Sequence, residues 1–306
     1  MITSTFNPLG VDVDSTEAER HSADVAVRAI LNTNKKLEKT PAGEAIAVRG
    51  VTLAPAKRSG IANVCRFATA ACIKACCLWF SGRTVSASVR NAAINRTLLL
   101  AIWPERFARR LFAEVTAAAA MAAVDSARLF LRLNTASDVA WPLDFIASLP
   151  ATVYDYTKDE EKAHANARGE HPGNYHVSLS VHESSTFAAV ATMLDNGGNV
   201  VVVFDSFYSA SGKAPRYGVL PARVVFTDGR GNRRTVETVD GDVSDVRTPE
   251  FDGRGRAVCL RVKGTNAAKD AARTAGFARP FSLGTREHSV VGSLPPCRGT
   301  AVVRLA

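Results

Sequence analysis

The sequence predicts an α/β protein built as a partial or full parallel (β/α) barrel behind an N-terminal helical extension. Three observations carry this reading. Short apolar runs recur along the chain, most of them separated by stretches able to form helices, which is the pattern of βα units. Several runs end in polar residues, as barrel strands do where their βα loops converge. A segment dense in cysteine follows the first run and opens onto the same rim.

Residues 15–37 carry a helical pattern, with Val25, Val27, Ala29 and Ile30 set among Glu, Arg and Lys and with Ser15 or Thr16 to cap it. Residues 1–44 are therefore assigned to the extension and 45–306 to the barrel-like domain. Residues 45–53 read as the first strand, after which Pro55 and Ser59-Gly60 open the cysteine loop, 61–83. Residues 84–100 are again helical. Pro104 suits the first turn of a further helix, in which Phe107, Leu111 and Val115 share a face. Strands are then expected at 127–133, 151–156, 175–180, 199–204, 222–226 and 256–262.

The polar strand ends supply the candidate site. Asn134, Asp155, Ser180 and Asp205 are placed to hold a cofactor, and Asp138, Tyr156 and Lys158 to act on a substrate. Helix capping is the competing use of the Ser, Thr, Asp and Asn residues among these ends. His176 and His182 share the even face of one run and read as hydrogen-bonded structural residues. Gly229-Arg-Gly231 and Gly253-Arg-Gly255 are turn material, too short for nucleotide loops.

A chain of 306 residues can bury a large core, and no low-complexity linker divides it. Its net charge of +9 and pI near 9.5 favour a polyanionic partner, because Lys and Arg that neutralise phosphates release counterions. The arginines concentrate at Arg83, Arg90, Arg96, Arg106, Arg109 and Arg110, the candidate nucleic-acid contacts; a solvated helix face is the alternative. No apolar run approaches a membrane span, so no membrane partner is expected, and the first residues lack the basic and apolar regions of a secretion signal. A reducing cytoplasm is the expected compartment. Charge and length leave the oligomeric state open.

Four of the six cysteines, Cys65, Cys72, Cys76 and Cys77, fall within thirteen residues. Thiolates are soft ligands that select iron–sulfur clusters, zinc or copper(I). Zinc usually takes two close-spaced ligand pairs, which this chain lacks, whereas one loop with six and then three intervening residues fits a cubane [4Fe-4S] cluster better. Zinc and a chance group of thiols stay open. Cys259, in an apolar run, reads as a core residue and Cys297 is isolated. Adjacent helical side chains point about 100° apart, so one of Cys76 and Cys77 is spare. If the segment is helical, Cys76 shares the face of Cys72.

The order of the longer polar words gives a resemblance. Cys77-Leu-Trp-Phe-Ser-Gly-Arg83, Arg132-Leu-Asn-Thr-Ala-Ser-Asp-Val-Ala-Trp141, Tyr154-Asp-Tyr-Thr-Lys158, Val202-Val-Phe-Asp205 and Asp240-Gly-Asp-Val-Ser-Asp-Val-Arg247 stand in sequence. In these words, spanning residues 65–264, the chain resembles a family of cluster-bearing proteins encoded by actinobacterial phages and plasmids. The family element anchors on Cys77, which leaves the choice between Cys76 and Cys77 open. More remotely the layout is similar to radical S-adenosylmethionine barrels, themselves TIM-like, in which a cysteine loop after the first strand binds a four-iron cluster. The chain departs from their Cys-x3-Cys-x2-Cys spacing and has no Gly-Gly-Glu element, so S-adenosylmethionine as a cofactor has no motif behind it.

Three functions follow as expectations: a four-iron cluster enzyme acting at a barrel mouth on nucleic acid or nucleotides; a non-catalytic nucleic-acid-binding protein whose cluster braces a loop; and a zinc-braced barrel. In the first, three thiolates leave one iron for substrate, S-adenosylmethionine or a fourth protein ligand, for which Asp138 is the candidate, with a cap or a salt bridge to Arg83 as its structural alternative.

Overall fold

The computed structural model describes residues 6–10, 27–33, 37–76, 79–80, 82–205, 207–208, 216–281, 290–291 and 296–306. Its strands are β1 (Leu31–Asn32), β2 (Ile46–Val51), β3 (Arg128–Arg132), β4 (Thr152–Thr157), β5 (Tyr175–Ser180), β6 (Val200–Phe204), β7 (Phe207–Tyr208), β8 (Arg216–Tyr217), β9 (Arg223–Thr227), β10 (Arg233–Asp240), β11 (Ala257–Arg261), β12 (Val290–Val291) and β13 (Thr300–Arg304). The α-helices are α1 (Ala70–Ala75), α2 (Ala87–Ile102), α3 (Pro104–Val124), α4 (Leu143–Ser148), α5 (Glu160–Ala167), α6 (Phe187–Asp195), α7 (Pro249–Asp252) and α8 (Asn266–Thr274).

Ten strands form one mostly parallel sheet in the order β1-β2-β3-β4-β5-β6-β11-β10-β9-β13. The run from β2 to β6 follows chain order, as βα winding requires. The sheet is open, so of the partial or full barrel expected from the strand alternation the full one is not formed. A tight turn shows why the parallel winding stops. Asp228 Oδ1 accepts from Arg230 N and Asn232 N, each at 2.9 Å, and this turn reverses the chain so that β10 returns antiparallel to β9. β13 then pairs parallel to β9 and ends the sheet.

The chain forms two compact units, the first comprising Met1–Ala68, Gly82–Asp155 and His171–His176, and the second Thr69–Ser81, Tyr156–Glu170 and Val177–Ala306. In the first, β2 pairs parallel to β3, and β1 lies antiparallel on the outer side of β2. The expected helix over 15–37 is thus replaced at Leu31–Asn32 by a strand; most of that segment lies outside the described residues. The Glu114 carboxylate holds the strand's start, accepting from Ile30 N and Leu31 N at 2.8 Å each. Pro104 opens α3 at its first turn, where a missing N–H costs nothing. That helix buries Phe107, Ala108, Leu111 and Val115 along one stripe, and α2 packs beside it. Phe107 stacks on Trp141 at 6.0 Å, and Phe6 meets Phe145 edge-on at 5.0 Å.

In the second unit β6 is a Val-Val-Val-Val-Phe run, a strand covered on both faces, paired parallel to β11. Helix α5 packs on α6, and α1 packs on α8. Gly241, just past β10, is required where it stands, since a Cβ there would meet Val258 Cγ1 at 2.6 Å and Leu260 Cδ2 at 2.7 Å. No helix among the described residues is long and apolar enough to cross a membrane.

Candidate functional site

The cysteine segment begins in the first unit with Cys65. Its thiol accepts from Ala56 N at 3.2 Å and faces Ala136 O at 3.7 Å, and its backbone forms a parallel bridge with Asp138. Asp138 N donates to Val64 O at 2.7 Å, which fixes this pairing. The structure therefore pairs the backbone of Cys65 with that of Asp138, the residue that the sequence singled out as a fourth ligand.

Cys72 and Cys76 belong to the second unit. Thr69 caps α1 by accepting from Cys72 N at 3.1 Å, and Cys76 ends the helix with its N–H on Cys72 O at 2.8 Å. The backbones of Cys72 and Cys76 are joined one turn apart, with Cys76 already outside the helical conformation. Cys76 O then accepts from Trp79 N at 2.9 Å, and Trp79 is buried. Cys65, Cys72 and Cys76 form no disulfide. Cys77 lies outside the described residues, as does the side chain of Arg83, whose backbone belongs to a short 3-10 helix. Among the described residues no three His, Cys, Asp or Glu side chains gather into a metal-holding group.

Two of the four residues expected to hold a cofactor instead serve each other. Asp155 is fully buried and accepts from Asn134 N at 2.7 Å, Asn134 Nδ2 at 3.0 Å and the Tyr175 hydroxyl at 3.1 Å. Asn134 Oδ1 in turn accepts from Val139 N and Ser137 Oγ. Burial pushes the Tyr175 hydroxyl well above its ordinary pKa, and the charges of Asp155 and Asp138 push the same way, so it stays a donor. This network shapes the 134–139 loop from inside. Asp205 is likewise engaged, gripped by Arg273 through Nε and, at 3.1 Å, through Nη2. Ser180 ends β5 half-buried.

The second unit gathers charge at the carboxyl ends of its strands. Arg247, in the loop after β10, donates from Nε to the Tyr156 hydroxyl at 3.1 Å and from Nη1 to Asp252 at 2.5 Å. Burial works against the Arg247 charge, but Tyr156, Asp252 and Asp245 outweigh it and raise its pKa. Asp252 is pushed up to about 6, because burial exceeds the pull of Arg247. The two shifts differ in what they say of the pair's ionisation: the guanidinium keeps its proton throughout, and the carboxyl is the partner that titrates. Beside it, buried Arg261 bridges Asp240 and Asp242 at 3.1 Å each, and Lys263 also meets Asp242. Lys158 lies with its ammonium 5.5 Å from the Phe277 ring centre. His182 contacts the Ser184 hydroxyl through Nδ1 at 3.3 Å, and His176 remains half-buried on β5.

The arginine group is divided. Arg90 Nε donates to Thr84 O at 2.6 Å, Arg96 Nε to Ala29 O at 2.9 Å, and Arg110 pairs with Glu114 at 3.0 Å. Burial lowers the Arg96 pKa, opposed by Glu114 and reinforced by Arg110. Arg106 and Arg109 are exposed at the start of α3; Arg106 lies 5.9 Å from the Trp103 ring centre and Arg109 sits 3.7 Å from Glu105.

The residues that organise the second unit's rim, Arg247, Asp252, Asp242 and Arg261, were not among the candidates from sequence. The word Asp240 to Arg247 was their visible signal. The family model described as gene product 88 matches residues 28–279. The chain belongs to the gene product 88 family. It is a phage-type family, and the match covers the cysteine segment, the 132–141 and 154–158 words and the 240–247 loop together. No curated protein and no solved structure matches the chain.

Proposed function

We propose that this gene product 88 protein binds an iron–sulfur cluster through Cys65, Cys72 and one of Cys76 and Cys77. The observation that carries the reading is the placement of Cys72 and Cys76, neither in a disulfide, one turn apart along the chain at α1, in a segment with four cysteines within thirteen residues. The donor set is soft and suits iron and sulfide. Three thiolates on a [4Fe-4S] cluster leave one iron open to substrate, S-adenosylmethionine or Asp138, whose backbone bridges Cys65. Such a group supplies electron transfer or Lewis acidity when bound. The chain's own residues would hold it and orient what approaches: Thr69 fixes the helix start at Cys72, and the bridge to Asp138 fixes Cys65.

Anaerobic purification with iron, sulfide and zinc analysis tests this. A brown protein with about four irons per chain supports it. A colourless protein with stoichiometric zinc and no sulfide overturns it and leaves the zinc-braced fold.

A second reading is nucleic-acid binding in the host cytoplasm, with the cluster as a brace. The net charge of +9 and the exposed Arg106 and Arg109 favour it, through phosphate and not base contacts.

A further inference from the structure

We propose that the exposed face of β10, β9 and β13 binds the phosphate backbone of nucleic acid through Arg223, Arg233 and Arg304. The three residues belong to the second unit and include neither the cysteines nor Arg106 and Arg109. The proposal rests on the nucleic-acid reading and gives it a surface of its own.

Strand pairing builds this face. β13 alternates exposed and buried residues, so Thr300, Val302 and Arg304 point one way and the buried Ala301 and Val303 the other. The register with β9 sets Thr300 beside Arg223, Val302 beside Val225 and Arg304 beside Thr227. β9 in turn sets Arg223 beside Glu237, Val225 beside Thr235 and Thr227 beside Arg233. Residues paired across neighbouring strands share a face, and the result is a grid three residues long and three strands wide. Val225 at its centre is buried; the residues around it are exposed, Thr227 half so. Arg233 and Arg304 stand two strand spacings apart, about 9.6 Å, and Arg223 lies about 13 Å along β9 from the row that joins them.

The positive charge of the grid is not cancelled. Glu237, its one carboxylate, stands across from Arg223 but pairs with Arg256. Arg234, on the opposite face of β10, pairs with Asp195 at 2.8 Å. The turn beyond adds Asp228 and Arg230, one charge of each sign. Arg223, Arg233 and Arg304 form no ion pair among the described residues. A guard against edge pairing would need charge only on the edge strand β13, yet two of the three arginines stand on the strands inside it.

The side chains fit phosphates. The cations of the grid are all arginine, whose planar fork matches phosphate oxygens, and the hydroxyls of Thr227, Thr235 and Thr300 are donors of the kind that bond them. No aromatic ring stands in the grid, so bases have nothing to stack on and sequence is not read. Val302 is its one exposed apolar residue, too little to enter a membrane.

The test is a titration of the full chain with a labelled DNA oligonucleotide of mixed sequence, single-stranded and duplex, at several salt concentrations. Changing Arg223, Arg233 and Arg304 together to Gln should weaken binding at low salt about ten-fold or more. It should also lower the slope of log K against log salt by about 2–3, as the loss of three phosphate contacts at about 0.7–0.9 each does. The corresponding triple Lys variant should keep most of that slope. Arg168→Gln, an exposed arginine of the same unit paired with Glu170, should leave it unchanged. If the Gln triple fails to fold by circular dichroism, the three single variants decide, each lowering the slope by about 0.7–0.9. No binding by the wild type overturns this proposal and the nucleic-acid reading together. Binding that keeps its strength and slope in the Gln variants overturns this proposal alone. Polyglutamate bound as tightly as DNA of equal charge also overturns it, since the face would then take an acidic peptide.

Discussion

Arg247 donates from Nε to the hydroxyl of Tyr156 at 3.1 Å and so joins two positions 91 residues apart in the chain. The contact lies within the second unit, between the end of β4 and the loop after β10. Four strand spacings separate those strands in the sheet order, about 19 Å along a flat sheet. The loop must therefore fold back across the strand ends. Asp252 anchors the other side of the guanidinium, and the carbonyls of Gly241 and Ser244 take its Nη2. Arg247 is the nail that fixes this loop over the rim.

Arg247→Met is expected to destabilise the protein by about 3–5 kcal/mol, because it leaves the Asp252 carboxylate buried without its cation. Tyr156→Phe should cost less, about 1.5–3 kcal/mol, since it removes one charge-assisted bond to the buried Arg247 while the Asp252 pairing stays. Urea unfolding of both variants checks the ranking. If Tyr156→Phe proves the costlier, the loop is held by something other than the Arg247–Asp252 pair.

Asp252 gives a pH signature. Its folded pKa, about 6, lies above the ordinary 3.8, so the folded state binds the proton more tightly. Its contribution is fully present below pH 3.8 and is lost as pH rises through about 6. Asp242 acts in the opposite sense. Although burial raises its pKa, Lys263 and Arg261 lower it overall, and its contribution is lost only in stronger acid. In Asp252→Asn the decline in stability between about pH 4 and 6 should vanish. Unfolding curves across that window decide it, and identical profiles for variant and wild type would refute the assignment.

Much of the sheet was legible in the sequence, for a physical reason. The runs at β3, β6, β9 and β11 are dominated by apolar residues, β4 and β5 mix aromatic and aliphatic residues with Asp, Thr, His and Ser, and each of these strands, with β2, falls within about two residues of its expected run. The sequence hides β10, Arg-Arg-Thr-Val-Glu-Thr-Val-Asp, because only Val236 of its residues is buried. Periodicity left a partial or a full barrel open, because the antiparallel reversal rests on one Asp228 turn that it does not show. The polar strand ends have hydrogen-bond partners that the sequence does not mark. Asn134 and Asp155 look available until their backbone and hydroxyl partners are known, and those partners come from other strands. The same holds for Arg90 and Arg96, whose acceptors are carbonyls that no sequence pattern marks.

For the cysteines, serine at Cys65 or Cys72 should abolish cluster retention, and of Cys76 and Cys77 only one should matter. Side chains of adjacent residues on a helix diverge by about 100° and do not readily reach one cube. Iron and sulfide per chain in the four single variants give the answer. Full loss in both Cys76→Ser and Cys77→Ser would show that four thiolates close the site, and Asp138 would then have no iron to bind.

The arginine segment yields the last prediction, and the structure sharpens which residues it concerns. Arg106 and Arg109 are exposed one turn apart near the start of α3, where Arg106 lies by the indole of Trp103 and Arg109 by the exposed Glu105. An exposed ion pair such as Arg109 with Glu105 contributes about 0–1 kcal/mol, so a phosphate can replace it readily. Arg110 differs. It links Glu114 to the Arg28 carbonyl, and Glu114 holds the start of β1, so its reversal should lower stability as well as charge. Binding to single- or double-stranded nucleic acid is expected at micromolar strength, falling steeply with salt. Arg106→Glu with Arg109→Glu should weaken that binding and flatten its salt dependence while leaving the unfolding midpoint unchanged. Arg110→Glu should shift the midpoint. If the double variant binds as tightly as the wild type at low salt, or the wild type shows no binding there, the segment is only a solvated helix face.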